Sequence, residues 1–393
     1  MAGAAALPRV AELSFGARGT GVACLREGWS TPEEGFCWAE GRHCALEVAL
    51  AGWLPDDLMV ELDLSPFIAP PALPAQTLGI TANGAALGTF RLNHATVLSL
   101  PVPRSAWVGR AAITLQFDMP DTASPAALGV NPDRRSLGVA LSALRLLAAP
   151  RLPPGRQRAL PPVAVPPGVS LQELDALMRQ RFGRGLPELA LSFESLGHNC
   201  EFGLVQRLCG AEPLGLLRFT GITPANLVRG LESGFAGVGA PSHVEPFVAG
   251  APGDEEWLIH EHLYGLQYHT FLPARTDASG VATLLRKQMQ KLQFEQRKFL
   301  EDLRDPRKIF VFHAGDFMVP HEAVPVLQRL RLHGPARLLF VTSGAAEQTG
   351  CVAELAEGLF QGFVDALAPV GDAGRISLGA WVSVMANVVM LAE

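Results

Sequence analysis

Cys200 lies in the segment whose residue types best suit nucleophilic chemistry. Residues 189–210 read LALSFESLGHNCEFGLVQRLCG. This pattern predicts a short buried strand over 189–193, a turn at Gly197 and a helix capped by Asn199. Cys200 would then occupy the first helical turn, where unpaired N–H groups and the helix dipole favour a thiolate, the form that attacks. The segment therefore predicts a reactive cysteine, with a buried packing residue as the alternative.

Polar side chains flank this cysteine on both sides. His198, Asn199 and Glu201 are its immediate neighbours in the sequence, and we expect them to contact a substrate held at the thiol. Cys209, on the apolar side of the same predicted helix, is expected to be an ordinary buried thiol.

The segment also resembles a bacterial family of unknown function classed as papain-like cysteine peptidases. The resemblance rests on SLGHNCEFGLVQRL at 195–208, PLGLLRFTGITPANLVRGLESGF at 213–235 and YGLQYHTF at 264–271, and it covers about 189–344. It implies Cys200 as nucleophile, His269 as base and a papain-like α+β fold. The acids that the family carries in its second and third motifs are missing here, and Thr270 follows His269.

A third catalytic group is needed to orient the base. Asp316 follows the apolar run KIFVFH at 308–313, at a strand end of the kind where α/β proteins place their sites. It is the candidate to orient His269, with a structural turn or cap as the alternative.

Two further functional classes stay open. His260 and His262, two apart on a predicted strand, would project from one face and, with His269 or His313 and Asp316, provide nitrogen and oxygen ligands for a divalent metal. A metal-dependent hydrolase is therefore one alternative. The other is a non-catalytic glycan-binding or assembly protein. The preferred cysteine chemistry needs no cofactor.

The N-terminal part of the chain predicts a β-sandwich. Short alternating segments between residues 21 and 147 are separated by Gly, Pro and Asn, and Asn83-Gly84 is a strong hairpin signal. Seven strands are predicted, at 45–50, 58–64, 76–82, 88–92, 96–100, 111–117 and 137–146.

This part of the chain also resembles accessory β-sandwiches found beside glycosyltransferase-type and other cell-envelope polysaccharide domains. The matching residues lie at 28–41, 76–88 and 117–146. The resemblance implies a polysaccharide or glycoconjugate as partner. Trp29 and Trp38 are candidates for a sugar-stacking platform; burial in the sandwich core is the alternative.

The remaining sequence predicts a different architecture. A proline-rich linker at 150–168 separates domain 1–149 from domain 169–393. The second domain alternates apolar runs, at 308–313 and 337–342, with helical patterns, which favours a three-layer α/β domain with a mostly parallel sheet over the papain-like fold. Helices are predicted at 170–182, 281–303, 322–332, 350–360 and 378–391.

Composition narrows the functional classes. The 393 residues carry a net charge of −6, which argues against a general nucleic-acid binder, because such proteins neutralise phosphates with Lys and Arg. Six scattered cysteines without a regular framework, and an N-terminus without a secretory pattern, predict free thiols and a cytoplasmic protein. The uncharged run 376–392 is shorter than the ~20 residues that span a bilayer and predicts a buried helix. The oligomeric state is undetermined.

Overall fold

A computed structural model describes residues 9–50, 57–149, 158–165, 168–250, 253, 255–313, 323–367 and 376–393. The described residues fall into two compact units, one within Leu7–Arg151 and one within Leu152–Glu393. Among them, no helix is long and apolar enough to cross a membrane.

The described part of the N-terminal unit contains strands in two antiparallel sheets and one short α-helix. One sheet has the order β1-β9-β4-β7 with β2 beside β9, and the other has the order β3-β8-β5-β6. The elements are β1 (Arg9–Ser14), β2 (Cys37–Glu40), β3 (His43–Ala49), β4 (Asp57–Pro66), β5 (Gln76–Ala82), β6 (Ala85–Leu92), β7 (Thr96–Val102), α1 (Arg104–Trp107), β8 (Ala112–Asp118) and β9 (Leu137–Ala149).

Side chains of both sheets form one hydrophobic core. Leu58 and Leu144 from the first sheet and Leu46 and Leu78 from the second belong to the same buried cluster, so the two sheets pack as in a β-sandwich. All seven strands predicted from the sequence are present. The β5–β6 hairpin turns at Asn83 and Gly84, both with positive φ (46° and 83°), as a type I′ turn requires.

The C-terminal unit contains a six-stranded mixed sheet, a four-stranded antiparallel sheet and seven α-helices among its described residues. Its strands are β10 (Ala159–Leu160), β11 (Phe193–Ser195), β12 (Thr220–Gly221), β13 (Val244–Ala249), β14 (Glu256–Glu261), β15 (Leu266–Pro273), β16 (Ile309–His313), β17 (Arg337–Ser343), β18 (Val352–Ala356) and β19 (Leu359–Val364). Its helices are α2 (Leu171–Phe182), α3 (Leu186–Leu191), α4 (Glu201–Leu208), α5 (Pro224–Ser233), α6 (Ala278–Asp302), α7 (Ala323–Leu330) and α8 (Leu378–Ala392).

The six-stranded sheet is buried on both faces. Its order is β10-β18-β19-β17-β16-β11, and β11, β16, β17 and β19 run parallel. Successive side chains of a strand point to opposite faces. Ile309 and Val311 of β16 accordingly pack in the cluster that contains α8, whereas Phe310 and Phe312 pack in the cluster that contains α5, α6 and α7. This double burial explains the continuous apolar run in the sequence.

Three segments differ from their predicted structure. The predicted strand 189–193 is instead the end of α3 followed by β11, and the predicted helix 350–360 is the β18–β19 hairpin, which turns at Gly358 with φ 71°. In the predicted linker 150–168, residues 158–165 belong to the C-terminal unit. Leu160 pairs with Val352, and the backbone N–H of Val163 donates to the Ser383 hydroxyl at 2.8 Å.

Other local predictions are confirmed. Helix α2 begins with the predicted capping box, in which the Ser170 side chain accepts from the Glu173 backbone and Glu173 reaches back to Ser170. The C-terminal apolar run forms α8, and Trp381, Met385 and Leu391 of this helix are buried.

Candidate functional site

Cys200 stands at the junction between a parallel strand and a helix. β11 ends at Ser195, and the Leu196 backbone N–H continues the sheet by donating to Val311 at 2.9 Å. Helix α4 begins at Glu201, so Cys200 is its N-cap residue rather than part of its first turn. The Asn199 side chain accepts a hydrogen bond from the Glu201 N–H at 2.8 Å. Asn199 was predicted to be the N-cap residue, but it is the residue before the N-cap. The thiol therefore lies at the carboxyl edge of the parallel strands, where open α/β sheets bind ligands.

The turn before Cys200 has an unusual backbone. Gly197 and His198 have φ values of 86° and 84°. A Cβ on Gly197 would lie 2.8 Å from the Ile222 side chain, so glycine is required there for both conformation and space. His198 has no such freedom, and a non-glycine residue in this region indicates local strain of the kind found at functional sites.

The thiol environment differs from the sequence-based expectation. Burial raises the pKa of Cys200 above its usual range, because the half-buried site disfavours the charged form. The expected dipole-stabilised thiolate is therefore not the resting species. Cys209 packs in the core and burial raises its pKa to about 12. Cys200 is thus a protonated thiol, and nucleophilic chemistry at its sulfur would require a base.

The predicted base, His269, lies on the strand next to the one that contacts the Cys200 turn. In β12, Gly221 pairs with Gln267 of β15, and a Cβ on Gly221 would lie 3.5 Å from the backbone oxygen of His198. Paired residues and residues two apart in a strand share one face. Gln267 and His269 therefore project from one face of the four-stranded sheet, and the His198 backbone lies against that same face. The His269 side chain is 52% exposed.

His269 has a carboxylate partner that the sequence did not identify. Its Nδ1 lies 2.5 Å from Oε1 of Glu256 on the neighbouring strand β14, whereas the predicted partner Asp316 lies outside the described residues. Leu258 of β14 lies opposite His269, and Glu256, two residues away on the same strand, reaches the imidazole across the strand pair. The sequence could have suggested that β14 and β15 pair, but not the register that brings these two side chains together.

A second histidine, His313, also lies near the Cys200 turn. It ends β16, is fully buried, and its ring centroid is 5.8 Å from that of His198 and 5.9 Å from the Trp381 ring. Trp381 is held in turn by the buried Glu201, whose Oε1 accepts the indole N–H at 2.8 Å. From the sequence, His313 was a candidate only as a metal ligand, because strand periodicity cannot reveal that His198 and Trp381 pack against it.

The metal alternative gains no support from the geometry. His260 and His262 share one face as predicted, with ring centroids 4.2 Å apart. However, His262 Nε2 is paired with Glu245 at 2.9 Å. In the described ranges, no group of three or more His, Cys, Asp and Glu residues is arranged to hold a metal ion.

The two candidate tryptophans of the N-terminal unit have different environments. Trp29 is partly buried, donates its indole N–H to the Ala45 carbonyl at 2.7 Å and packs edge-on against the core residue Phe117. Trp38 is half-buried and contacts Phe36 edge-on at 5.7 Å. Its neighbours in β2, Cys37 and Ala39, point into the core. Trp38 therefore projects from the opposite, outer face of its sheet.

Comparisons with known proteins leave the family open. No family model matches the sequence, and no curated protein matches it either. Parts of the chain match solved structures, among them a family GH115 4-O-methyl-α-glucuronidase with specificity for decorated arabinogalactans. That match has 13% identity and a TM-score of 0.24, and covers 37% of this chain and 18% of the glucuronidase.

Two other matches are carbohydrate-binding modules. One is the CBM36-1 domain of a multidomain xylanase from the hindgut metagenome of Trinervitermes trinervoides, with 10% identity, a TM-score of 0.23 and coverage of 36% of this chain and 98% of the domain. The other is the C-terminal CBM6 of a marine laminarinase from Zobellia galactanivorans, with 9% identity, a TM-score of 0.21 and coverage of 35% and 98%. TM-scores this low carry no argument about the fold or function of this chain.

Proposed function

We propose that the C-terminal unit is a three-layer α/β domain, residues 169–393, that performs cysteine-dependent hydrolysis or acyl transfer. Cys200 is the nucleophile, His269 the base and Glu256 the group that orients the base. One observation carries this proposal: the Cys200 turn packs on the same sheet face from which His269 projects. Asp316, three residues after His313 in the sequence, stays a candidate for a further acidic group.

The chemistry follows from the protonated state of the thiol. As the Cys200 sulfur attacks the carbonyl carbon of an amide or ester, its proton passes to His269, and Glu256 stabilises the resulting imidazolium. The tetrahedral intermediate expels the amine or alcohol, which takes the proton from His269, and leaves a thioester on Cys200. Water or an acceptor hydroxyl or amine then attacks the thioester, with His269 as base, and the thiol is restored.

An acylation burst tests this proposal. We expect p-nitrophenyl acetate to release about one equivalent of p-nitrophenolate from the intact protein and to acetylate Cys200. Cys200→Ala should abolish the burst, whereas Cys209→Ala should retain it. His269→Ala should slow the burst by about 10²- to 10⁴-fold, the usual contribution of general-base catalysis. Acetylation spread over several cysteines, or a burst that survives in Cys200→Ala, would refute the assignment of the nucleophile.

A second function is proposed for the N-terminal unit, residues 1–149: recognition of a polysaccharide or glycoconjugate through Trp38. The half-buried ring on the outer face of its sheet, beside Phe36, supports this role, because aromatic rings stack on the apolar faces of sugars. Such recognition would direct the acyl chemistry to cell-envelope polysaccharide.

Affinity electrophoresis in gels that contain xylan, laminarin or alginate tests the binding. Trp38→Ala should remove the retardation, because a central aromatic anchor typically contributes ~2 kcal/mol or more to binding. The same change should leave the melting temperature unaltered. Trp29→Ala is the matched control and should instead destabilise the unit. Retardation by none of the three glycans, or unchanged retardation in Trp38→Ala, would count against the role of Trp38.

A further inference from the structure

His313 is a buried polar side chain for which the described residues provide no hydrogen-bond partner. Its side chain is fully inaccessible to solvent, and neither ring nitrogen has a partner within the part of the chain that the structure describes. A buried polar group left unsatisfied costs about 1–3 kcal/mol. Most buried polar groups in proteins are paired, so such an exception calls for an explanation.

The surroundings of His313 keep the imidazole neutral. Burial, with a smaller contribution from His198, lowers its pKa to about 3. A neutral imidazole has one N–H donor and one acceptor nitrogen. His313 is therefore a fixed hydrogen-bond donor at neutral pH and a poor base.

The position of His313 relates it to Cys200. β11 and β16 are adjacent parallel strands, with Ser195 opposite Val311, so the turn that leads to Cys200 leaves the sheet beside the end of β16. The half-buried His198 ring meets the His313 ring edge-on, and Trp381 covers it from α8. Since His198 belongs to the Cys200 turn, rotation of its side chain is the movement that would open His313 toward the thiol.

We infer that His313 is a catalytic residue that donates its ring N–H to the carbonyl oxygen of the acyl group attacked by Cys200. The inference rests on the proposed function of Cys200. As the sulfur–carbon bond forms, the π electrons of the carbonyl move onto oxygen, and the His313 N–H stabilises the oxyanion without transferring its proton. When the oxyanion collapses, the electron pair returns and the leaving group departs. A donor held in a site shielded from water is effective in this role.

Two reactions of the same thiol test this role. Acylation by p-nitrophenyl acetate develops an oxyanion, whereas alkylation by iodoacetamide is a displacement at saturated carbon and does not. We expect His313→Leu to slow acylation of Cys200 about 100-fold or more, the usual effect of losing one oxyanion donor. Alkylation should change by less than about 2-fold, because it needs no such donor. His313→Gln, which keeps an N–H donor, should restore part of the acylation rate, and the exposed His94→Leu should alter neither reaction.

Each outcome has one meaning. Equal slowing of both reactions would show that His313 only shapes the thiol environment, and unchanged acylation in a folded His313→Leu would show that it only packs; both results overturn the inference. If His313→Leu does not fold, His313→Gln decides: acylation and alkylation slowed by the same factor would also overturn it. If Cys200 of the unaltered protein reacts with iodoacetamide but not with the ester, or with neither reagent, the proposed function itself fails.

Discussion

Replacing Glu194 with glutamine should stabilise the protein at alkaline pH. Glu194 lies in β11, with only 2% of its surface exposed. Burial raises the pKa of this carboxyl to about 7, although Lys298 at 3.7 Å acts in the opposite direction. The folded protein therefore holds a proton on Glu194 that the unfolded chain loses near pH 4.5.

The sign and size of the effect follow from this difference. A carboxyl whose pKa is higher in the folded state contributes stability below the unfolded pKa, and this contribution is lost as the pH rises through the folded value. A tenfold change in proton affinity is worth about 1.4 kcal/mol. The rise from 4.5 to about 7 therefore costs the unaltered protein about 3 kcal/mol by pH 8. Glutamine resembles the protonated acid and cannot ionise.

Urea unfolding followed by tryptophan fluorescence at pH 5 and pH 8 measures this effect. Glu194→Gln should exceed the free energy of unfolding of the unaltered protein by less than about 1 kcal/mol at pH 5 and by up to about 3 kcal/mol at pH 8. The exposed Glu301→Gln is the matched control and should show no such trend. A Glu194→Gln variant that is less stable at pH 8 would refute the reasoning, because attraction to Lys298 would then outweigh the cost of burial.

Two further predictions concern the frame of the Cys200 turn. Gly197→Ala should destabilise the protein more than Gly210→Ala. Both glycines have positive φ, but a Cβ at position 197 would clash with the Ile222 side chain, whereas a Cβ at position 210 would make an ordinary contact at 3.5 Å. Equal melting temperatures for the two variants would refute this prediction. Arg218→Lys should cost several kcal/mol, because the buried guanidinium donates to the Gly203 and Ala211 carbonyls, each at 3.1 Å, and a lysine cannot reproduce that fork. The exposed Arg207→Lys should cost less than about 1 kcal/mol, and similar losses for the two lysine variants in a denaturant titration would contradict the role given to Arg218.

Local signals in the sequence predicted local structure well. The seven N-terminal strands, the Asn83-Gly84 turn and the Ser170 capping box depend on residues close together in the chain, and each is present. The hairpin at 352–364 was missed because its residues also fit a helical pattern, and pairing of β19 with β17 in the buried sheet overrides that preference.

For the candidate site, the sequence determined which groups are available: a cysteine at a strand–helix junction, with glycine and asparagine shaping the turn before it. Their properties depend on contacts between residues far apart in the chain. Burial by the surrounding core raises the pKa of Cys200, the pairing of β14 with β15 brings Glu256 to His269, and Trp381 of α8 packs against His313. Only the tertiary structure decides these features, because desolvation and cross-strand register arise when distant segments pack together.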